Sequence, residues 1–142
     1  MNGPAEPPGA SRPTLEARRV LVLLASTLLG AAEPPRTPTA VARQEAESNV
    51  RTPAGRAYEG VVIGRVDEWL RPALERCVKD APAEERISFD VFVRVGAVGK
   101  AEEVVFAPET AVARCVVEDF RSAKYPSPPE PSWWVKIEVR LK

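Results

Sequence analysis

Residues 87–106 read ISFDVFVRVGAVGKAEEVVF, and the pattern of this stretch decides the fold. Apolar and polar residues alternate over 87–95, which is typical of a β-strand with one buried face. Gly96 and Gly99 follow, and glycine accepts the positive φ angles that a short connection between antiparallel strands needs. A second strand is predicted over 101–107. The stretch therefore predicts a β-hairpin, and because a lone hairpin is marginal in water, other elements must cover its apolar face.

Two amphipathic helix patterns flank this hairpin. Apolar residues recur every three or four positions over 62–78, and again over 112–120 behind Thr110, a candidate N-cap. Pro72 predicts either a kink in the first helix or two helical pieces. The last segment, 133–141, alternates like a strand. The order helix, hairpin, helix, strand predicts an α+β domain, with two helices packed on one face of a three-stranded antiparallel sheet.

The N-terminal region has the pattern of an export signal. Arg18 and Arg19 precede an apolar run over 20–32 that ends in Gly-Ala-Ala. The run is short for a bilayer, which needs about 20 apolar residues. A cleaved signal peptide over 1–32 predicts a bacterial periplasmic or cell-envelope location. An uncleaved segment would instead anchor the chain in the inner membrane through residues 20–32, and this alternative stays open.

The segment 33–57 separates this region from the predicted domain. It is rich in proline at first and polar afterwards. Low hydrophobicity with scattered charge predicts a disordered, flexible linker. A short helix over 41–50 is the alternative, but it has no apolar stripe to bury. The folded domain is then predicted over 58–142.

The composition argues against several classes of function. Lys and Arg number 20 against 20 for Asp and Glu, so no basic surface favours nucleic acid. The chain has no histidine, the commonest general base and metal ligand. Acidic pairs fall mostly at positions that the periodicity turns toward solvent; they are Asp67-Glu68, Glu84-Glu85, Glu102-Glu103 and Glu118-Asp119. The sequence predicts no catalytic, cofactor-binding or metal site, and hence no enzyme.

Cys77 and Cys115 are the only cysteines, and each is predicted on the inner face of a flanking helix. In an exported protein, a disulfide is the favoured state of such a pair. A bridge would require Cα atoms within about 7 Å and would close a loop of about 38 residues, which stabilises by about 4 kcal/mol. The alternative is two reduced thiols that pack as small apolar groups.

Phe92 and Trp134 are two large aromatic residues on the polar-face register of their strands. One interpretation is that they form part of a patch that binds a partner protein. The other is that a helix or the linker covers this face. The sequence does not decide between them.

Residues 62–142 resemble the AgmX/PglI C-terminal domain of gliding bacteria, which is itself similar to the TonB C-terminal domain. The resemblance rests on two cysteine helices, a strand with a glycine turn and an aromatic-proline motif; these read ERCV (75–78), VARCV (112–116), VFVRVGAVGK (91–100) and YPSP (125–128). Two departures stand out: Ala123 occupies a position where the family usually has tryptophan, and PEPS (129–132) replaces a segment that tends to contain glycine.

The resemblance implies a TonB C-terminal-like fold and a protein-binding role. TonB adds its C-terminal domain to an exposed strand of its receptor. We therefore expect a non-enzymatic, exported envelope protein that binds an envelope partner, by strand addition at a sheet edge, within an envelope, gliding or transport-associated assembly. Membrane contact is expected only through the N-terminal segment, if it is uncleaved. A small-ligand carrier or enzyme with an unrecognised site, and a purely structural envelope protein, are the alternatives.

Overall fold

The computed structural model describes residues 32–142, together with the isolated positions 3, 4, 9 and 30. The chain divides into two units, Met1–Pro34 and Pro35–Lys142, and the architecture below is that of the second unit. The predicted signal segment over 1–32 lies almost entirely outside the described residues.

Three strands form one antiparallel sheet. Strand β1 (Phe89–Val95) lies at its centre, between β2 (Ala101–Ala107) and β3 (Trp133–Val139). Val93 pairs with Val104 on one side and with Val135 on the other. Since β1 has a partner on both sides, β2 and β3 are the edge strands.

Two helices cover one face of this sheet. Helix α2 (Pro53–Val78) and helix α3 (Ala111–Ser122) pack on the apolar residues that alternate along the strands. Thr110 is the N-cap of α3, as predicted, and its hydroxyl accepts a hydrogen bond from the Ala113 N–H at 3.0 Å. The α+β fold with a three-stranded antiparallel sheet is thus confirmed. Helix α2 runs through Pro72 as one element, so the alternative of two helical pieces is wrong.

A third helix covers the opposite face. Helix α1 (Pro38–Asn49) lies where a linker was predicted, and α2 begins at Pro53, so the linker prediction for 33–57 is wrong over most of that segment. Ala42 and Ala46 are fully buried and pack against Phe92. Two alanines four residues apart are a weak hydrophobic signal, which explains why the sequence pattern did not reveal a packed helix.

Of the two hairpin glycines, only Gly99 has a positive φ angle, so the prediction of positive φ at Gly96 is wrong. Gly99 has φ +79°, and a Cβ there would lie 2.1 Å from the carbonyl oxygen of Tyr125. The Tyr125 N–H donates to the Gly99 carbonyl at 2.9 Å, so the segment after α3 is held against the turn. Within the described residues, no helix is both long and apolar enough to cross a bilayer.

Candidate functional site

Strand β3 is an edge strand with one unpaired side. β3 pairs with β1 alone, and within residues 32–142 no backbone–backbone hydrogen bond outside the sheet ladder involves residues 134–139. The Trp134 carbonyl accepts one hydrogen bond from the Asn49 side chain, at 2.9 Å. An edge strand presents N–H and C=O groups that can pair with another extended chain. Strand β3 therefore offers a template for strand addition.

Strand β2 forms the other edge of the sheet. Helix α3 packs against β2, as α1 packs against β3. Lys124 forms an isolated bridge with Lys100, directly before β2 begins. A partner strand would compete with the Lys100–Lys124 bridge beside β2, and with the Asn49 side chain at the Trp134 carbonyl of β3. Within residues 32–142, the backbone of 135–139 makes no hydrogen bond outside the sheet ladder.

A groove of about 280 Å³ runs beside β3, and we call it the edge groove. It lies between α2 and β3 and is lined by Glu59, Ile63, Val66, Asp67, Leu70, Lys136, Ile137 and Glu138. Three consecutive strand residues line it, and successive side chains of a strand point to opposite faces. The groove must therefore follow the edge of the strand rather than either face.

The edge groove has an apolar floor with one exposed apolar side chain. Val66 and Ile137 are buried at its base, while Ile63 on α2 is 42% exposed. A segment bound along the unpaired strand edge would cover this exposed aliphatic side chain.

Charges at the strand side of the groove neutralise one another. The Lys136 ammonium lies 2.9 Å from the Glu138 carboxylate and 3.5 Å from that of Asp90. Hydrogen bonds from Lys136 and Arg140 lower the pKa of Glu138 to about 2. The hydrogen bond to Glu138 is also the main reason why the pKa of Lys136 is raised.

The carboxylates on the helix side of the groove are unpaired within the described residues. Glu59 and Asp67 take part in no ion pair or hydrogen bond with any residue of the described chain. With Lys136 and Glu138 paired to each other, these two carboxylates leave the groove with a net negative charge. This is a long-range bias of about two charges, screened over a Debye length of about 8 Å in physiological salt.

The predicted partner patch of Phe92 and Trp134 lies elsewhere, under α1. Phe92 is 0% exposed, and the Arg43 guanidinium stands 5.2 Å from its ring centroid. Trp134 is half-buried, and its carbonyl accepts a hydrogen bond from the Asn49 side chain at 2.9 Å. The covering-helix interpretation is the one that the structure bears out, and Phe92 is not accessible to a partner while α1 is in place.

Cys77 and Cys115 form a disulfide, as predicted, with their Cα atoms 5.7 Å apart. Cys77 is 9% exposed, but Cys115 lies on the exposed side of α3, so its predicted place on the inner face is wrong. Arg76 and Asp119 add an ion pair of 2.6 Å beside the bridge. Together they hold the C-terminal part of α2 to α3.

A second groove lies between α2 and α3, with a volume of about 360 Å³. Polar side chains such as Arg65, Glu68 and Lys124 line it, and none of them is buried. Within the described residues, no three His, Cys, Asp or Glu side chains are grouped so that they could hold a metal ion. This groove has no desolvated polar group that would fix a small ligand.

Sequence reasoning did not identify the edge groove. Glu59 and Ile63 lie four residues apart beside the core positions of α2. The exposed isoleucine within an otherwise polar stripe was the one feature of the sequence that could have indicated a binding surface. That this stripe borders a strand edge depends on how α2 lies across the sheet, which periodicity does not specify.

No family model, no curated protein and no solved structure matches the chain. The resemblance to the AgmX/PglI C-terminal domain therefore stays a prediction from the sequence motifs.

Proposed function

We propose that the chain is a non-enzymatic, exported cell-envelope protein that binds a partner protein by adding an extended partner segment to strand β3. The observation that carries the proposal is the unpaired edge of β3 with the edge groove alongside. Main-chain hydrogen bonds at the edge would supply affinity, and side chains that enter the groove would supply specificity.

Export is supported by the Cys77–Cys115 disulfide. Disulfides persist in oxidising compartments and are rare in the cytosol. Periplasmic or envelope location of the mature chain is the corresponding proposal. N-terminal sequencing of the native protein from separated cell fractions tests it, and an intact Met1 in a cytoplasmic fraction would refute it.

Site-specific photocrosslinking in cells that make the protein tests strand addition. A photoreactive residue placed at Ile63 lies in the edge groove, while one at Val98 lies at the exposed tip of the hairpin. Val98 is 79% exposed and serves as the matched control, since it is at least as accessible as Ile63. We expect a discrete crosslinked product at Ile63 and none at Val98.

The crosslinked partner segment must also be extended. Mass spectrometry of the product identifies the partner residues attached at Ile63. Equal crosslinking at both positions, or attachment within a helix of a folded partner, would contradict strand addition.

A further inference from the structure

We propose that the edge groove selects a partner segment with two basic residues four positions apart and an aliphatic residue midway between them. This inference rests on the proposed strand addition and adds the chemistry of the segment. It comes from the arrangement of three side chains along α2, namely Glu59, Ile63 and Asp67.

The spacing of these side chains fits an extended chain. Glu59 and Asp67 are eight residues apart in an α-helix, which corresponds to about 12 Å along its axis. For an added strand that runs along α2 through the groove, a rise of about 3.3 Å per residue means that about four strand residues cover the same length. Because four is an even number, two side chains at that spacing point to the same side of the strand.

The charge of the groove fits basic side chains at those two positions. Glu59 and Asp67 have no cationic partner among the described residues, whereas the carboxylate of Glu138 is paired with Lys136 and Arg140. Lysine or arginine on the incoming strand would supply the absent counter-charges. Acidic residues there would instead meet two uncompensated carboxylates.

The apolar centre of the groove fits the residue between them. Ile63 lies midway between the two carboxylates on α2 and is 42% exposed. An aliphatic side chain at the middle position would cover it against the buried floor formed by Val66 and Ile137. The pattern basic–x–aliphatic–x–basic reads the same in both directions, so it suits a parallel or an antiparallel added strand.

Nuclear magnetic resonance titration of the isotopically labelled full chain tests the inference with three nine-residue peptides. The first has lysine at its third and seventh positions and isoleucine at its fifth. The second has the same composition, but one lysine is moved by one position, so that its side chain points to the opposite face of the strand. The third replaces both lysines by glutamate.

We expect shift changes along β3 and α2 with the first peptide. Its affinity should exceed that of the glutamate peptide by about tenfold at low ionic strength, since exposed ion pairs are individually weak. The moved-lysine peptide should bind with intermediate affinity. The preference for lysine should shrink as salt is added.

A pair of variants assigns the preference to the groove. Glu59→Gln with Asp67→Asn should abolish the preference for lysine. Glu68→Gln with Glu75→Gln removes the same charge from α2 outside the edge groove and should leave the preference unchanged.

The outcomes separate this inference from the proposed function. Binding of all three peptides at β3 with equal affinity would overturn the charge selection while strand addition stands. No binding of any peptide up to about millimolar concentration, equivalent to about 4 kcal/mol, would overturn the inference as well. Strand addition itself would then be decided by the crosslink at Ile63.

Discussion

Removal of the disulfide gives the prediction with the best-defined magnitude. Cys77 and Cys115 are 38 residues apart in the chain, and closing a loop of that length lowers the entropy of the unfolded state. The chain-entropy relation then assigns about 4 kcal/mol to the bridge at 25 °C. This is a large fraction of the 5–15 kcal/mol that is the typical free energy of unfolding of a whole domain, so loss of the bridge should be readily measurable.

The structure also indicates which substitution is the cleaner probe. Cys115 lies on the exposed side of α3, so Cys115→Ser opens no cavity and leaves no buried hydroxyl. Cys77 is 9% exposed, and Cys77→Ser adds a small cost of its own for polarity. Denaturant unfolding of the oxidised wild type, both single variants and the double variant measures each free energy of unfolding.

We expect the Cys115→Ser and double variants to lose nearly the same free energy, because either change removes the whole crosslink. Arg76→Gln is the control: it removes the neighbouring ion pair with Asp119 but keeps the bridge, and should cost at most about 1 kcal/mol. A double variant whose loss equals the sum of the two single losses would refute the crosslink mechanism. So would a loss below about 1 kcal/mol in Cys115→Ser.

Three further predictions concern other parts of the fold. Ala46→Glu places a charge under α1 and should detach that helix at a cost of about 1–3 kcal/mol, seen as faster amide exchange over 38–49. Gly99→Ala should destabilise by about 1–2 kcal/mol or more in chemical denaturation, because of its positive φ and the close Tyr125 carbonyl. Gly60→Ala, whose new Cβ would meet nothing within 4 Å outside the adjacent backbone of its own helix, should stabilise α2 by about 0.5–1 kcal/mol. Burial raises the pKa of Tyr58 to about 12 and also raises that of Tyr125, so the native state keeps both protons where the unfolded state loses them. The contribution of these two groups to stability should be complete below the usual tyrosine pKa of about 10 and should be lost as the pH rises from there toward 12, with tyrosinate absorbance appearing mainly as the chain unfolds.

Each of these predictions has its own control. Ser48→Glu introduces the same charge on the exposed side of α1 and should leave the amide exchange of the helix unchanged. A neutral Gly99→Ala variant would mean that the turn relaxes at no cost. Tyr58→Phe removes the hydrogen bond to the Pro126 carbonyl and should make the alkaline loss shallower; an equally steep loss would show that Tyr58 does not cause it.

The strands and the two core helices could be predicted because their signals are local. Alternation along β1 and β3 and the hydroxyl of Thr110 before α3 depend on nearest neighbours, and the structure has these elements at the predicted positions. The exposure of Cys115 on α3 was harder to predict. It flanks the apolar stripe of α3, where a small rotation of the helix decides between core and solvent.

The packing of helix α1 on the sheet and the edge groove were not predicted, for a tertiary reason. Ala42 and Ala46 are core residues only because they pack against Phe92, which lies far away in the sequence. Likewise, the sequence pattern gives Glu59 and Ile63 as ordinary surface residues. Only the position of α2 beside β3 shows that they line a groove. Both features depend on which surfaces meet, and one sequence pattern does not contain that information.

Amide hydrogen exchange along β3 tests strand addition most directly. The measurement compares the free chain with its complex with the partner segment that crosslinks through Ile63. Because the N–H groups of an edge strand point alternately toward its neighbour and away from it, we expect new protection at every second amide over 134–139. Unchanged exchange over 134–139, with new protection on α1 or α3 instead, would contradict strand addition at this edge.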